Sequence, residues 1–269
     1  MQNIKLIVCD IDGTMISHNN NSISVKLKEA FEKIKEKNIE ILIATGRHFS
    51  YIHPSLFNDL NPEYLVTING ACFNKNDGTI ISSFPLKEED VLKLTKFAKE
   101  NGLGLGFKFP KEIVSYANYD IFYEGYIGRK RNNKNLPDII NNDTTNDYHI
   151  KESLPLGCFM IGDEKTIETL KPILPHLFIS WSYPNGYDIF PFTTTKASSI
   201  EAFLKLKKLS WEDTMVFGDA ENDISMIQKA KIGVAMGNAK DIVKKEADFI
   251  TKSVDDDGIV FALEHFNII

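Results

Sequence analysis

Apolar residues along this chain fall in short continuous runs, and each run stops at a cluster of small polar residues. The run at 4–9 ends at Asp10-Ile11-Asp12-Gly13-Thr14, and that at 39–44 ends at Thr45-Gly46-Arg47. Residues 64–68 run into Asn69-Gly70, and 214–217 into Gly218-Asp219-Ala220-Glu221-Asn222-Asp223. Runs of this length, rich in β-branched residues and bounded by turn residues, predict buried parallel strands. Helical stripes lie between them. After Ser24, the residues Leu27, Ala30, Phe31 and Ile34 repeat at i, i+3, i+4, i+7, and the stripe ends near Asn38. A second stripe, Ile200, Phe203 and Leu204, follows Lys196, and a third, Ile224, Ile227 and Ala230, follows the last acidic cluster. Two more short strands are expected at 231–236 and 248–251, separated by a helix at 241–246.

Strands alternating with helices predict an α/β fold, a doubly wound Rossmann-like core whose parallel sheet collects its strand-end clusters in one crevice. Between about Phe84 and Tyr187 the texture changes. A helix at 87–101 closes with Gly102, strand-like pieces follow at 103–109 and 158–161, and a helical stripe occupies 166–174. This predicts an inserted α+β cap domain at 84–187 between two core parts, 1–83 and 188–269.

Composition narrows the function classes. With hydrophobic residues at 43% and charged residues at 25%, the chain has the balance of a folded globular protein rather than a disordered one. Thirty-one Lys+Arg against 37 Asp+Glu leave a formal charge of −6, which repels a phosphate backbone and makes nucleic acid an unexpected partner. The basic knot Arg129-Lys130-Arg131 with Lys134 is diluted by asparagines and is expected to be a solvated loop. Cys9, Cys72 and Cys158 are too scattered for a disulfide framework or a thiolate zinc site and are expected in the core. Asp10 cuts the first apolar run short of a signal peptide or a membrane span, so the expected address is the cytoplasm, with no membrane partner.

The strand-end clusters carry the candidate chemistry. Asp10 and Asp12 stand two apart beside a permissive Gly13 and a hydroxyl at Thr14, so one carboxylate can attack while the other handles a proton. Alone, this is also an ordinary Asp-Gly turn. Asp219 and Asp223 end another strand, where they could simply cap a helix. Gathered in one crevice, three or four carboxylates repel one another unless a hard dication neutralises them, and all-oxygen ligation suits Mg²⁺. Thr45 and Gly46 can present a hydroxyl and amides to a phosphate oxygen, and Lys196 can add a compact positive charge. Each of these alone would be an N-cap or a surface lysine. Arg47, His48 and His53 are weaker candidates for substrate contacts, and Trp181, Tyr183 and Tyr187 are expected to pack rather than to form a substrate shelf.

In order, Asp10-x-Asp12-Gly13-Thr14, Thr45-Gly46-Arg47, Lys196 and Gly218-Asp219-x-x-Asn222-Asp223 resemble the four motifs of the haloacid dehalogenase (HAD) superfamily. More narrowly the chain is similar to the Cof-type phosphatases, whose large cap is inserted between the second and third motifs. Asn69-Gly70-Ala71, the run from Gly233 to Ala239 and the Asp255-Asp256-Asp257-Gly258 turn are similar to that subfamily too. The chain departs from the pattern at Ala197, where the family usually has Gly, and in the wording of 193–195.

The resemblance implies a Mg²⁺-dependent phosphatase acting on a small phosphorylated metabolite, foremost a sugar phosphate, through an aspartyl-phosphate. Asp10 would be the nucleophile and Asp12 the acid and base. Asp10, the Asp12 carbonyl, Asp219 and Asp223 would hold the metal. Thr45, Lys196 and Asn222 would hold the phosphoryl oxygens, with Gly46 and Arg47 beside them. The alternatives are a phosphomutase and a phosphate-accepting module without turnover.

Overall fold

The computed structural model describes residues 4–17, 22–127 and 137–269; the basic knot at 129–134 lies outside the described residues. The chain divides into two compact units, one of Met1–Gly46, Ile52–Ile81 and Thr195–Ile269, the other of Arg47–Tyr51 and Ser82–Thr194. Tyr187, where the inserted domain was expected to end, lies inside a strand of the second unit.

The chain begins with β1 (Leu6–Cys9), α1 (Val25–Glu36), β2 (Glu40–Ala44), α2 (Pro54–Leu60), β3 (Tyr64–Thr67), β4 (Cys72–Lys75) and β5 (Ile80–Ser83). The second unit then holds α3 (Glu88–Glu100), β6 (Gly104–Lys108), β7 (Ile113–Ala117), α4 (Tyr119–Ile127), β8 (Ile140–Asn141) and α5 (Tyr148–Lys151). It continues through β9 (Gly157–Ile161), α6 (Glu164–Glu168), β10 (Leu177–Tyr183) and β11 (Gly186–Pro191). The chain returns to the first unit as α7 (Lys196–Lys207), β12 (Thr214–Gly218), α8 (Ile224–Ile227), β13 (Ile232–Ala235), α9 (Asp241–Lys245), β14 (Phe249–Ile250) and α10 (Gly258–His265).

The first unit is built on an eight-stranded sheet in the order β14-β13-β12-β1-β2-β3-β4-β5. Neighbours from β14 to β3 are parallel, and β3 pairs antiparallel with β4. β1 lies in the middle, and the chain winds from it to β2 and β3 on one side and returns as β12 on the other. That reversal opens a crevice at the carboxyl ends of β1 and β12. All four residues of β1 are buried, as a strand covered on both faces requires. In α1 the Ser24 hydroxyl accepts from the Leu27 amide at 3.1 Å, and Leu27, Ala30, Phe31 and Ile34 form the buried face.

The second unit has a six-stranded sheet in the order β10-β11-β9-β6-β7-β8. Leu94 and Ala98 of α3 pack with Leu105, Phe107, Met160 and Ile189 in one cluster, and Phe122, Tyr126, Phe159 and Ile161 form another. Two expected helices are shorter than their stripes. The helix expected over 166–174 is α6, which starts earlier on its Asp163 cap and ends at Glu168, ahead of Pro172, which has no amide to donate. The stripe through Ala230 contributes only the four residues of α8. β4 and β5 extend the core sheet past its parallel part.

The three cysteines are buried in the core. No helix among the described residues is long and apolar enough to cross a membrane.

Candidate active site

The sheet register decides what meets in the crevice. Cys9 pairs with Phe217 across β1 and β12, and the Asp10 amide donates to the Phe217 carbonyl at 3.2 Å. The first acidic cluster is thereby set beside the second, across some two hundred positions of sequence. Beyond Asp10 the backbone folds on itself, with the Met15 and Ile16 amides both donating to the Ile11 carbonyl at 3.0 Å. Gly13 turns the loop at φ 84°, and a Cβ there would lie 2.3 Å from Asp219 Oδ2, so a larger residue could not hold both the turn and the approach. The Thr14 hydroxyl donates to Asp219 Oδ1 at 3.0 Å, and the Asn238 side chain donates from Nδ2 to the Gly13 carbonyl at 2.8 Å.

Asp10, Asp219 and Asp223 each offer an oxygen, and these oxygens lie within 4.8 Å of one another. Lys196, wholly buried at the start of α7, donates from Nζ to Asp10 Oδ1 and to Asp223 Oδ1, each at 2.6 Å. The other Asp223 oxygen accepts from the Asp219 and Ala220 amides at 3.0 Å. Thr195 caps α7 reciprocally with Ser198, which fixes where Lys196 begins, and Ala197 sits buried within the helix. Thus the departures from the family wording at 193–195 and 197 still build a regular helix start.

The electrostatics follow from burial. Removal from water pushes the Asp10 carboxyl up to about 7, against the pull of Lys196 and with Asp223 and Asp12 adding to the rise. Burial, then the charges of Asp10 and Asp223, push Asp219 up to about 8. Burial works against the Lys196 ammonium, yet Asp10 and Asp223 outweigh it and hold that group protonated well above its usual range. With all three carboxylates ionised, the cluster would carry two negative charges beyond the Lys196 ammonium, which is why Asp10 and Asp219 are held up, and every free donor in it is oxygen. A hard dication suits both the charge and the donor set.

The remaining candidates separate. Thr45 is buried at the end of β2. Asn222 donates from Nδ2 to Asn69 Oδ1 at 2.8 Å, and its own Oδ1 is buried without a hydrogen-bond partner among the described residues. Arg47 belongs to the second unit, where it donates to the Tyr51 carbonyl at 3.4 Å. His48 is buried, with Nε2 donating to the Phe109 carbonyl at 2.8 Å and Nδ1 accepting from the Ser50 amide at 3.2 Å. Burial pulls its pKa down to about 4, which favours the neutral ring. His53 caps α2 by accepting from the Ser55 amide. Tyr187 is buried and Tyr183 stacks on Phe159, whereas Trp181 is exposed.

The family model for haloacid dehalogenase-like hydrolases matches residues 7–263. The chain belongs to this family. A Streptococcus pyogenes relative whose name joins a phosphatase to a peptidyl-prolyl cis-trans isomerase is 29% identical, with 99% of this chain and 54% of that protein aligned. The chain therefore spans about half the length of that relative. The 5-amino-6-(5-phospho-D-ribitylamino)uracil phosphatase YcsE of Bacillus subtilis is 25% identical, with 98% of this chain and 96% of that protein aligned. Among solved structures, the HAD subclass IIB sugar phosphatase BT4131 superposes with a TM-score of 0.88 at 28% identity, covering 98% of this chain and all of the other. These similarities place this HAD hydrolase among the phosphatases.

Asn69 joins the candidate site through its bond to Asn222, although its type and position in the sequence imply no role there. The Asn-Gly pair that follows β3 is a signal for left-handed backbone, and the fold directs it at Asn222.

Proposed function

We propose that this HAD phosphatase hydrolyses small phosphorylated metabolites, sugar phosphates foremost, with Mg²⁺ and through an aspartyl-phosphate on Asp10. The meeting of Asp10, Asp219 and Asp223 around the buried Lys196 carries this reading. Asp10, the Asp12 carbonyl and Asp219 would hold the ion, with Asp223 ligating directly or through water. When bound, Mg²⁺ offsets the charge that otherwise keeps one anion from approaching another.

The protein's own groups supply the rest. A carboxylate oxygen of Asp10 attacks phosphorus in line as the bond to the leaving oxygen breaks. Asp12 gives its proton to that oxygen, then takes one from the water that cleaves the acyl phosphate, which frees phosphate and regenerates Asp10. A positioned acid and base of this kind is worth about 10²–10⁴-fold in rate. Thr45, the Gly46 amide, Lys196 and Asn222 grip the transferring phosphoryl group, and Arg47 contacts substrate. Lys196 also orients Asp10, because its Nζ bonds one carboxylate oxygen and leaves the other for attack. The inserted unit acts as the cap that selects the leaving group.

Phosphate release from a panel of phosphorylated sugars, pyridoxal phosphate and flavin mononucleotide tests the reading. With Mg²⁺ the wild type should turn over at least one class, and Asp10→Asn or a chelator should abolish turnover. Equal turnover in Asp10→Asn would overturn it.

A further inference from the structure

The three residues that leave β3 all have left-handed backbone: Ile68 at φ 51°, Asn69 at 55° and Gly70 at 95°. Asparagine and glycine adopt that region readily, but a β-branched isoleucine does not, so surrounding contacts must hold the turn in place. The turn is buried throughout. Its Asn69 amide donates to the Thr45 carbonyl at 3.1 Å, and its Asn69 Oδ1 accepts from Asn222 Nδ2 at 2.8 Å. The Gly70 carbonyl accepts from the Ser199 hydroxyl in the first turn of α7 at 2.5 Å. A Cβ on Gly70 would lie 2.0 Å from the Thr195 carbonyl oxygen and 2.9 Å from the Lys196 nitrogen, so only glycine lets α7 start there. One strained turn thus touches the segments that carry Thr45, Asn222 and Lys196.

We propose that Asn69 is a positioning residue for phosphoryl transfer: its side-chain oxygen takes one amide hydrogen of Asn222 and so aims the other at the phosphoryl group. The inference rests on the reading of Asn222 as a phosphate-gripping residue. An asparagine amide carries two donors and one acceptor and can rotate end for end. Turned the wrong way, Asn222 would present an oxygen to a phosphate oxygen and repel it. Asn222 Oδ1 has no hydrogen-bond partner among the described residues, so the bond to Asn69 sets which end faces the substrate.

The test uses full-length enzyme with Mg²⁺ and p-nitrophenyl phosphate. It compares wild type, Asn69→Gly, Asn222→Ala, the double variant and Asn69→Asp, with thermal melts to count folded molecules. Glycine keeps the left-handed geometry, so Asn69→Gly isolates the side chain. Its kcat per folded molecule should fall about 10–100-fold, while KM stays within about threefold. The double variant should be no slower than Asn222→Ala, because the Asn69 bond has nothing left to aim. Asn69→Asp keeps the acceptor oxygen and should hold kcat within about threefold while its added charge raises KM.

Wild-type kcat in Asn69→Gly, single losses that multiply in the double variant, or an Asn69→Asp kcat as low as that of Asn69→Gly would each overturn the inference. A wild type that releases no phosphate overturns the proposed function first, and the inference with it.

Discussion

Replacing Lys196 with Met keeps the volume of the side chain but removes the ammonium between two carboxylates. Its Nζ lies 2.6 Å from an oxygen of Asp10 and 2.6 Å from an oxygen of Asp223, and the lysine is wholly buried. At an effective dielectric of about 20, each contact is worth roughly 6 kcal/mol of attraction, and desolvating each ion returns several kcal/mol of that. Loss of one partner from such a buried pair leaves uncompensated charge and costs about 3–5 kcal/mol. Urea unfolding near neutral pH with a chelator present measures this directly. Lys196→Met should lower the unfolding free energy by that amount, and phosphate release should fall about 10²–10³-fold because a fixed donor to the phosphoryl group is gone. Stability within about 1 kcal/mol of wild type would refute the reasoning, since no surface-like substitution removes a buried counter-charge.

Gly13→Ala should destabilise by about 1–3 kcal/mol and weaken turnover, because a Cβ would meet Asp219 Oδ2 at 2.3 Å in a left-handed turn; melting and phosphate release read both effects. Asp10 and Asp219 have folded values raised to about 7 and 8 from 3.8, so their contribution to metal-free stability is complete below about pH 4 and is lost as pH rises through 7 to 8. Mg²⁺ must displace those protons, so the rise in Tm that it produces should be small at pH 6 and larger at pH 8.5. The opposite sign holds at His48, whose folded value is depressed from 6.5 to about 4. Its neutral form contributes stability above about pH 6.5 that is lost toward pH 4, on the order of 3 kcal/mol, and the pH dependence of unfolding should flatten by that amount in His48→Gln.

What could be read in the sequence was set by local physics. β1, β2, β3 and β12 are covered on both faces, so continuous apolar runs marked them, and the polar residues at their ends marked the crevice. Ser24 and the stripe behind it located α1 to within a residue or two. Long-range contacts carried no such mark. That Lys196 bridges Asp10 and Asp223 depends on where α7 is docked, and α7 is docked by a turn more than one hundred positions earlier.

Ile68 belongs by composition to the strand before it, yet tertiary contacts hold it at φ 51°. In the inserted unit the Asn185-Gly186 pair, where β10 turns into β11 with Asn185 at φ 65°, is a hairpin signal that the apolar pattern alone does not show. His48 is a candidate substrate contact by its place just after Thr45-Gly46. The chain carries it into the second unit, where it bonds the Phe109 carbonyl.

In the proposed reaction Asp10 forms a bond to phosphorus. A single turnover in heavy-oxygen water, followed by digestion and mass spectrometry of the Asp10 peptide, asks whether the oxygen left in phosphate came from water or from the carboxylate. Water attack on the phosphorus of an aspartyl-phosphate puts the first label in the released phosphate and leaves Asp10 unlabelled, and an acid quench before that step should catch a phosphoryl adduct on the same peptide. Phosphate released with no adduct on Asp10 at any quench time, and with full turnover retained in Asp10→Asn, would contradict it.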